Sequence, residues 1–198
     1  MKNKYWILIF GVIFAGCLLL MLSAAFMLTF FYQRSDGAKQ TGQIVQKIED
    51  QIPNREAGMP RTDADGQMPV YEIAGEEFIG LLEVPAYALT LPVSADWEEK
   101  QLNAYPCRFW GSTYNDTLIV GGADAEGQLD VLSVLELGDE ILVTDMTGAA
   151  YAYYVERIDR SKSAEAEKLY DPEYELTLFV RDTYGLDYII VRCQNKWN

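Results

Sequence analysis

Hydrophobic positions follow three different patterns along the chain. From Tyr5 to Tyr32 they form one run, broken only by Gly11, Gly16, Ser23 and Thr29 and free of charge. About 20 apolar residues cross a bilayer as a helix, so this run predicts a transmembrane helix with room for tilt. From Gln40 to Ile52, Ile44, Val45, Ile48 and Ile52 recur at near-helical spacing, which predicts a short amphipathic helix ended by Pro53. Beyond Val70 the pattern shortens into β runs between turns. These are Phe78–Val84, Ala88–Val93, Thr117–Gly122, Ile141–Thr144, Tyr151–Ile158, Leu176–Val180 and Tyr188–Val191. Turn residues at Pro85, Gly138-Asp139, Thr147-Gly148 and Asp182–Asp187 separate them, and alternation at this spacing predicts a closed β-barrel or a sandwich. Short helical pieces are expected at Trp97–Leu102, Leu129–Leu135 and Ser163–Tyr170.

The flanks of the apolar run set its orientation. Lys2 and Lys4 precede it, Tyr5-Trp6 and Tyr32 suit the two interface belts, and Asp36 offsets Arg34 and Lys39 on the far side. The expectation is a single-pass anchor with its N-terminus inside and the domain outside the cell. Two rivals remain. A cleaved signal peptide usually has a shorter apolar region, and Ser23-Ala24-Ala25 is followed by further apolar residues. A lipoprotein reading rests on Phe14-Ala15-Gly16-Cys17, with Phe ill suited to its first position. The chain then divides into a transmembrane signal anchor at 1–34, a stalk with a short helix at 35–69 and a β domain at 70–198. Within the stalk, Arg55–Met68 reads as a flexible linker, and Asp63-Ala64-Asp65-Gly66 resembles only part of a calcium loop.

Charge and composition narrow the chemistry. Lys2, Lys4 and Arg34 are the only charged residues of the first 34, so thirteen basic and thirty acidic residues follow. Such a surface disfavours nucleic acid and anionic headgroups as partners. The chain has no histidine, which removes Ser-His-Asp, Cys-His and His-ligated zinc mechanisms. Asp124, Glu126 and Asp130 cluster in one loop without a recognisable metal-ligand spacing, so a solvated loop is favoured over a calcium site. No metal and no cofactor is expected.

The order of the β pieces resembles the sortases, the cysteine transpeptidases of bacterial cell surfaces. Phe78–Val93 (FIGLLEVPAYALTLPV) is similar to their opening strands, and Pro106–Ser112 (PCRFWGS) to a segment of class B-like members. Gly138-Asp139-Glu140-Ile141 resembles the turn into their middle strands, and Leu176-Thr177-Leu178-Phe179 the strand that leads to the nucleophile. The likeness covers Glu76 to Arg192 and implies an all-β, sortase-like closed barrel with short helices behind a transmembrane helix.

The family's chemistry uses a Cys thiolate as nucleophile, a His that handles the proton of the leaving amine and an Arg that hydrogen-bonds substrate or oxyanion. The resemblance carries these roles onto Arg181 for the Cys, Ala123 for the His, and Tyr188, or Asp187 one residue away, for the Arg. None of these side chains can perform the role. The implied protein is a non-catalytic binding or assembly module at the cell surface. Its implied partners are a sorting-signal peptide, a pilin or an active sortase. The alternative is a transpeptidase with altered chemistry using Cys107, Cys193 or carboxylates.

Trp110, Tyr114 and Arg181 are the candidate groove residues, with Arg181 expected to fill the emptied nucleophile position beside a neutralising carboxylate. Cys107 and Cys193 are either a disulfide or two buried thiols.

Overall fold

The computed structural model describes residues 16–24, 27, 41–52, 56–57, 66–98, 100–102, 104–182 and 186–195. The chain forms two compact units, residues 1–40 and 41–198. In the first, residues 16–24 and 27 are helical and exposed. Among the described residues no helix is long and apolar enough to cross a membrane, and most of the predicted span lies outside them.

Among the described residues the second unit contains ten strands: β1 (Glu56–Ala57), β2 (Tyr71–Ile73), β3 (Glu76–Val84), β4 (Leu89–Ser94), β5 (Cys107–Trp110), β6 (Leu118–Gly122), β7 (Glu140–Asp145), β8 (Ala149–Ser161), β9 (Leu176–Arg181) and β10 (Tyr188–Asn195). Eight of them close a ring in the order β3-β4-β5-β6-β9-β10-β8-β7, with β7 returning to β3. β1 and β2 lie outside the ring as short additions to β8 and β3. The choice between barrel and sandwich is thus settled as a closed barrel. The expected helical pieces shrink to a 3-10 segment at Leu129–Ser133 and the single turn α2 at Ala166–Leu169. Between Trp97 and Tyr105 the described residues make isolated turns, with Leu102 N–H donating to Glu98 O and Tyr105 N–H to Gln101 O.

Period-2 alternation fills the barrel. Leu118 and Val120 of β6, Leu176, Leu178 and Val180 of β9, Tyr151 and Tyr153 of β8, and Val191 and Cys193 of β10 all point into one interior cluster. β3 departs from strict alternation, since Phe78 to Leu82 are all buried. The helix α1, residues 41–51, accounts for this. Its Ile44 and Ile48, with Ile52 just past its end, cover Phe78, Leu81 and Met146 on the outside of the barrel. Burial of each isoleucine is worth about 1.5–3 kcal/mol, so α1 is held mainly by this apolar seam. Thr41 Oγ1 adds a 3.4 Å hydrogen bond to Ala104 O. The helix read from the sequence as part of a stalk therefore packs within the barrel unit. The linker expected at Arg55–Met68 is also anchored at both ends, by β1 on β8 and by Met68 in the barrel interior. Asp63 to Asp65 lie outside the described residues.

Ring closure depends on a close approach at Gly80, where β3 meets β7. Its φ is +152°, and a Cβ there would lie 2.0 Å from the Thr144 carbonyl oxygen. The neighbouring hairpin is stapled by Asp145, fully buried at the end of β7. One oxygen accepts from Thr147 N–H at 2.8 Å, Thr147 Oγ1 at 2.6 Å and Ala149 N–H at 3.1 Å, and the other from Tyr114 Oη at 2.7 Å. Gly80→Ala is expected to lower the melting temperature, costing about 1–3 kcal/mol from overpacking and strain. Gly42→Ala, in α1 with open space around it, should be neutral or stabilising by about 0.5 kcal/mol. Thermal unfolding of the two variants checks this pair of opposite signs.

Candidate functional site

The strand register brings distant residues to one edge of the barrel. β6 and β9 run parallel, with Gly122 opposite Val180, so Ala123 and Arg181 leave that rung side by side. β10 runs antiparallel to β9 and places Tyr188 opposite Arg181. The three positions named by the resemblance therefore meet at one place, where they offer a methyl, a guanidinium and a phenol.

Arg181 is exposed. This corrects the expectation that it fills a buried position beside a carboxylate. Along β9, Val180 turns into the barrel and Arg181 outward at the strand end, where water rather than desolvation surrounds its charge. Asp182, one candidate partner, instead receives Arg160 Nη1 at 2.8 Å.

Cys107 and Cys193 are both free and both buried. Along the sheet β5 and β10 are separated by β6 and β9. Three strand spacings amount to roughly 14 Å, beyond the reach of a disulfide. The Cys193 side chain lies inside the barrel, and burial pushes its thiol far above the ordinary thiol range. Burial also raises the Cys107 thiol, which sits 3.5 Å from Tyr105 O. A thiol held in the protonated form inside a core is a poor nucleophile.

Among the described residues no group of Cys, Asp and Glu is arranged to hold a metal ion. In the acidic loop, Asp130 is raised above the usual carboxylate range by burial and further by the charge of Asp124.

The outer face beside this edge is aromatic. Trp97 stacks on Phe179 with centroids 5.6 Å apart, and Phe109 meets both rings edge-on at 5.1 and 5.5 Å. Two of the three rings rest on Gly121: a Cβ there would stand 2.5 Å from Phe179 Cζ and 2.7 Å from Trp97 Cζ3. Sequence reading missed Trp97, Phe109 and Gly121, although a glycine pair ending a buried strand was a visible sign of close approach.

Two hollows open on either side of Phe109 and Trp110. The first, about 450 Å³, is walled by Phe109, Trp110, Ile119, Ala166 and Tyr170, and among the described residues Glu167 is the one charged residue lining it. The second, about 440 Å³, lies toward Trp97, Arg108 and the turn at Ser112–Thr117 and is polar. Trp110 borders both. Tyr114 and Arg181 border neither. Tyr114 turns inward to Asp145 and packs against the interior cluster, near Tyr151.

The far wall of the first hollow is fixed by Arg192, a residue sequence reading did not single out. The residue is 7% exposed, and its guanidinium donates to Lys168 O at 2.6 Å, Leu169 O at 3.1 Å and Asp159 Oδ2 at 3.2 Å. It also lies 5.6 Å from the centre of the Tyr174 ring. A cation on the terminal carbonyls of α2 is favourable both as hydrogen bonding and as charge. It positions Tyr170, whose ring meets Trp110 edge-on at 5.2 Å across the hollow.

No family model matches the chain and no curated protein matches it in sequence. Solved structures do. The sortase C of Clostridium perfringens SM101 is similar at 15% identity and a TM-score of 0.53, over 70% of this chain and 78% of that one. Clostridium perfringens sortase C with the C-terminal cell wall sorting motif matches at 17% identity and a TM-score of 0.51, over 60% and 70%. A Clostridium perfringens sortase D5 transpeptidase matches at 13% identity and a TM-score of 0.59, over 78% and 97%. The barrel therefore has a sortase-like fold.

Arg192→Ala should release the α2 wall while leaving the barrel folded. Limited proteolysis is expected to cut residues 162–175 about tenfold faster, with a stability loss of about 2–3 kcal/mol from the lost charged hydrogen bonds.

Proposed function

We propose that this chain is a sortase-like protein without transpeptidase chemistry. It is tethered to the cell membrane by its N-terminal apolar run, with the barrel outside the cell. The barrel binds an extended apolar peptide of the cell-wall sorting-signal kind. The observation that carries this reading is the meeting of Ala123, Arg181 and Tyr188 at the edge where the resemblance calls for His, Cys and Arg. The chain has no histidine and both barrel thiols are buried, so among the described residues neither an imidazole nor an exposed thiol stands at this edge for attack or proton transfer.

The hollow between Trp110, Ile119 and Tyr170 supports the binding half of the proposal. Its apolar walls suit aliphatic side chains of a peptide, while Glu167 stands near enough to favour a cationic neighbour over an anionic one. A sorting-signal ligand is suggested by the structurally similar sortase C that carries a cell wall sorting motif. A pilin or an active sortase presenting such a segment is the corresponding protein partner.

The full-length protein, mixed with a sorting-signal peptide and an amine acceptor, is expected to give no cleaved or ligated product by mass spectrometry. It should still bind the peptide, and Ala166→Glu should weaken binding about tenfold by placing a charge at the apolar wall. Product that disappears with Cys107→Ser or Cys193→Ser would overturn the non-catalytic reading. Absence of peptide binding would overturn the binding one. For the tether, the protein is expected to stay with membranes through an alkaline wash and to be digested by protease added to intact cells; release by the wash, or protection from the protease, would overturn it.

A further inference from the structure

The second hollow differs from the first in chemistry, although the two share Phe109 and Trp110. It is flanked by Trp97, 37% exposed, and Trp110, 52% exposed. Between them converge Arg108, Asp96, Asn115, Ser112 and Thr117.

Several of these groups are already oriented by the fold. Arg108 Nε donates to Ala95 O at 2.9 Å, which fixes the guanidinium and leaves its two terminal nitrogens as donors. Ser112 Oγ accepts from Tyr114 N–H at 3.0 Å and Thr117 Oγ1 from Ser112 N–H at 3.4 Å, so each hydroxyl keeps its proton to donate. The turn holding them is tight. Gly111 has φ +78°, and a Cβ there would lie 1.9 Å from Thr117 O. Within the described residues the Asp96 carboxylate and the Asn115 amide make no hydrogen bond, and they add two acceptors and a donor–acceptor pair.

We propose that this hollow is a binding site for a neutral saccharide. A pyranose ring has an apolar C–H face and a rim of hydroxyls that both donate and accept. An exposed indole beside mixed donors and acceptors matches both aspects. An aliphatic peptide would leave Asp96, Asn115 and the Arg108 nitrogens desolvated without partners. An anion would meet Arg108 but also Asp96, on a chain with thirty acidic and thirteen basic residues after Arg34. A neutral polyol satisfies both charges without opposing either.

The site shares Phe109 and Trp110 with the peptide hollow but draws its polar groups from other residues, and it does not rest on the peptide reading. The test uses the full-length protein in a detergent without a sugar head group, titrated with the N-acetylglucosamine trimer and with maltotriose. A uronic-acid oligomer serves as the anionic control. Tryptophan emission and saturation-transfer NMR on the ligand protons report binding. At least one neutral oligosaccharide is expected to bind at millimolar concentration or below. Asn115→Ala and Asp96→Asn should each weaken it about tenfold with an unchanged melting temperature. Trp110→Phe should weaken it less than Trp110→Ala, and Ala166→Glu should leave it intact while lowering peptide binding. Silence with both neutral sugars would overturn the proposal. So would binding indifferent to Asn115 and Asp96, or a preference for the uronic-acid oligomer.

Discussion

The parallel pairing of β6 with β9 is the contact on which the remainder of the barrel's architecture turns. Five rungs, from Leu118 opposite Leu176 to Gly122 opposite Val180, join segments more than fifty residues apart in the chain. Parallel strands cannot be joined by a tight turn, and here the intervening chain supplies β7, β8 and α2 before it returns. Without these rungs the ring would open between its two halves. The interior faces of both strands, Leu118, Val120, Leu176, Leu178 and Val180, would also lose their common core. The same rungs align the ends of β6 and β9, so the chemistry at that edge is set by whatever residue follows each strand.

That pairing also explains the character of the outer surface. Gly121 lies opposite Phe179 on β9, and its missing Cβ lets Phe179 and Trp97 settle on the backbone of β6. The resulting aromatic cluster continues through Phe109 to Trp110, which divides an apolar hollow from a polar one. On the apolar side the chain between β8 and β9 must be brought down onto the sheet. Arg192 does so through carbonyls of Lys168 and Leu169, and its own position on β10 comes from pairing with Thr177 of β9. A packed ring and one buried cation thus shape the surface beside the edge where Ala123, Arg181 and Tyr188 meet.

Much of the fold was legible in the sequence because it rests on local periodicity. The α1 stripe at Ile44, Ile48 and Ile52, the β3–β4 pair about Pro85 and the closing hairpin all follow from side-chain spacing and turn residues. Side-chain destinations were less legible. Tyr114 looked available for a groove, yet its hydroxyl is claimed by Asp145, 31 residues away and buried by a different hairpin. Arg192 stood in an apolar strand with no nearby sign of the carbonyls it would meet. Arg181 was placed correctly on its strand but not on its side of the solvent boundary, because burial depends on what covers a strand end. The fate of Cys107 and Cys193 depended on strand order around the ring, which spacing in a linear chain does not encode.

Ring closure bears on self-association as well as on architecture. An open sheet ends in strands whose unpaired N–H and C=O groups can recruit another copy edge to edge. Here the long strands all find partners on both sides within the ring, and the described strands left at the margins are β1, with two residues, and β2, with three. Such short stubs, β2 carrying Glu72 between Tyr71 and Ile73, offer little template for intermolecular pairing. Copies of this domain brought close together would therefore associate through side chains and not by extending their sheets.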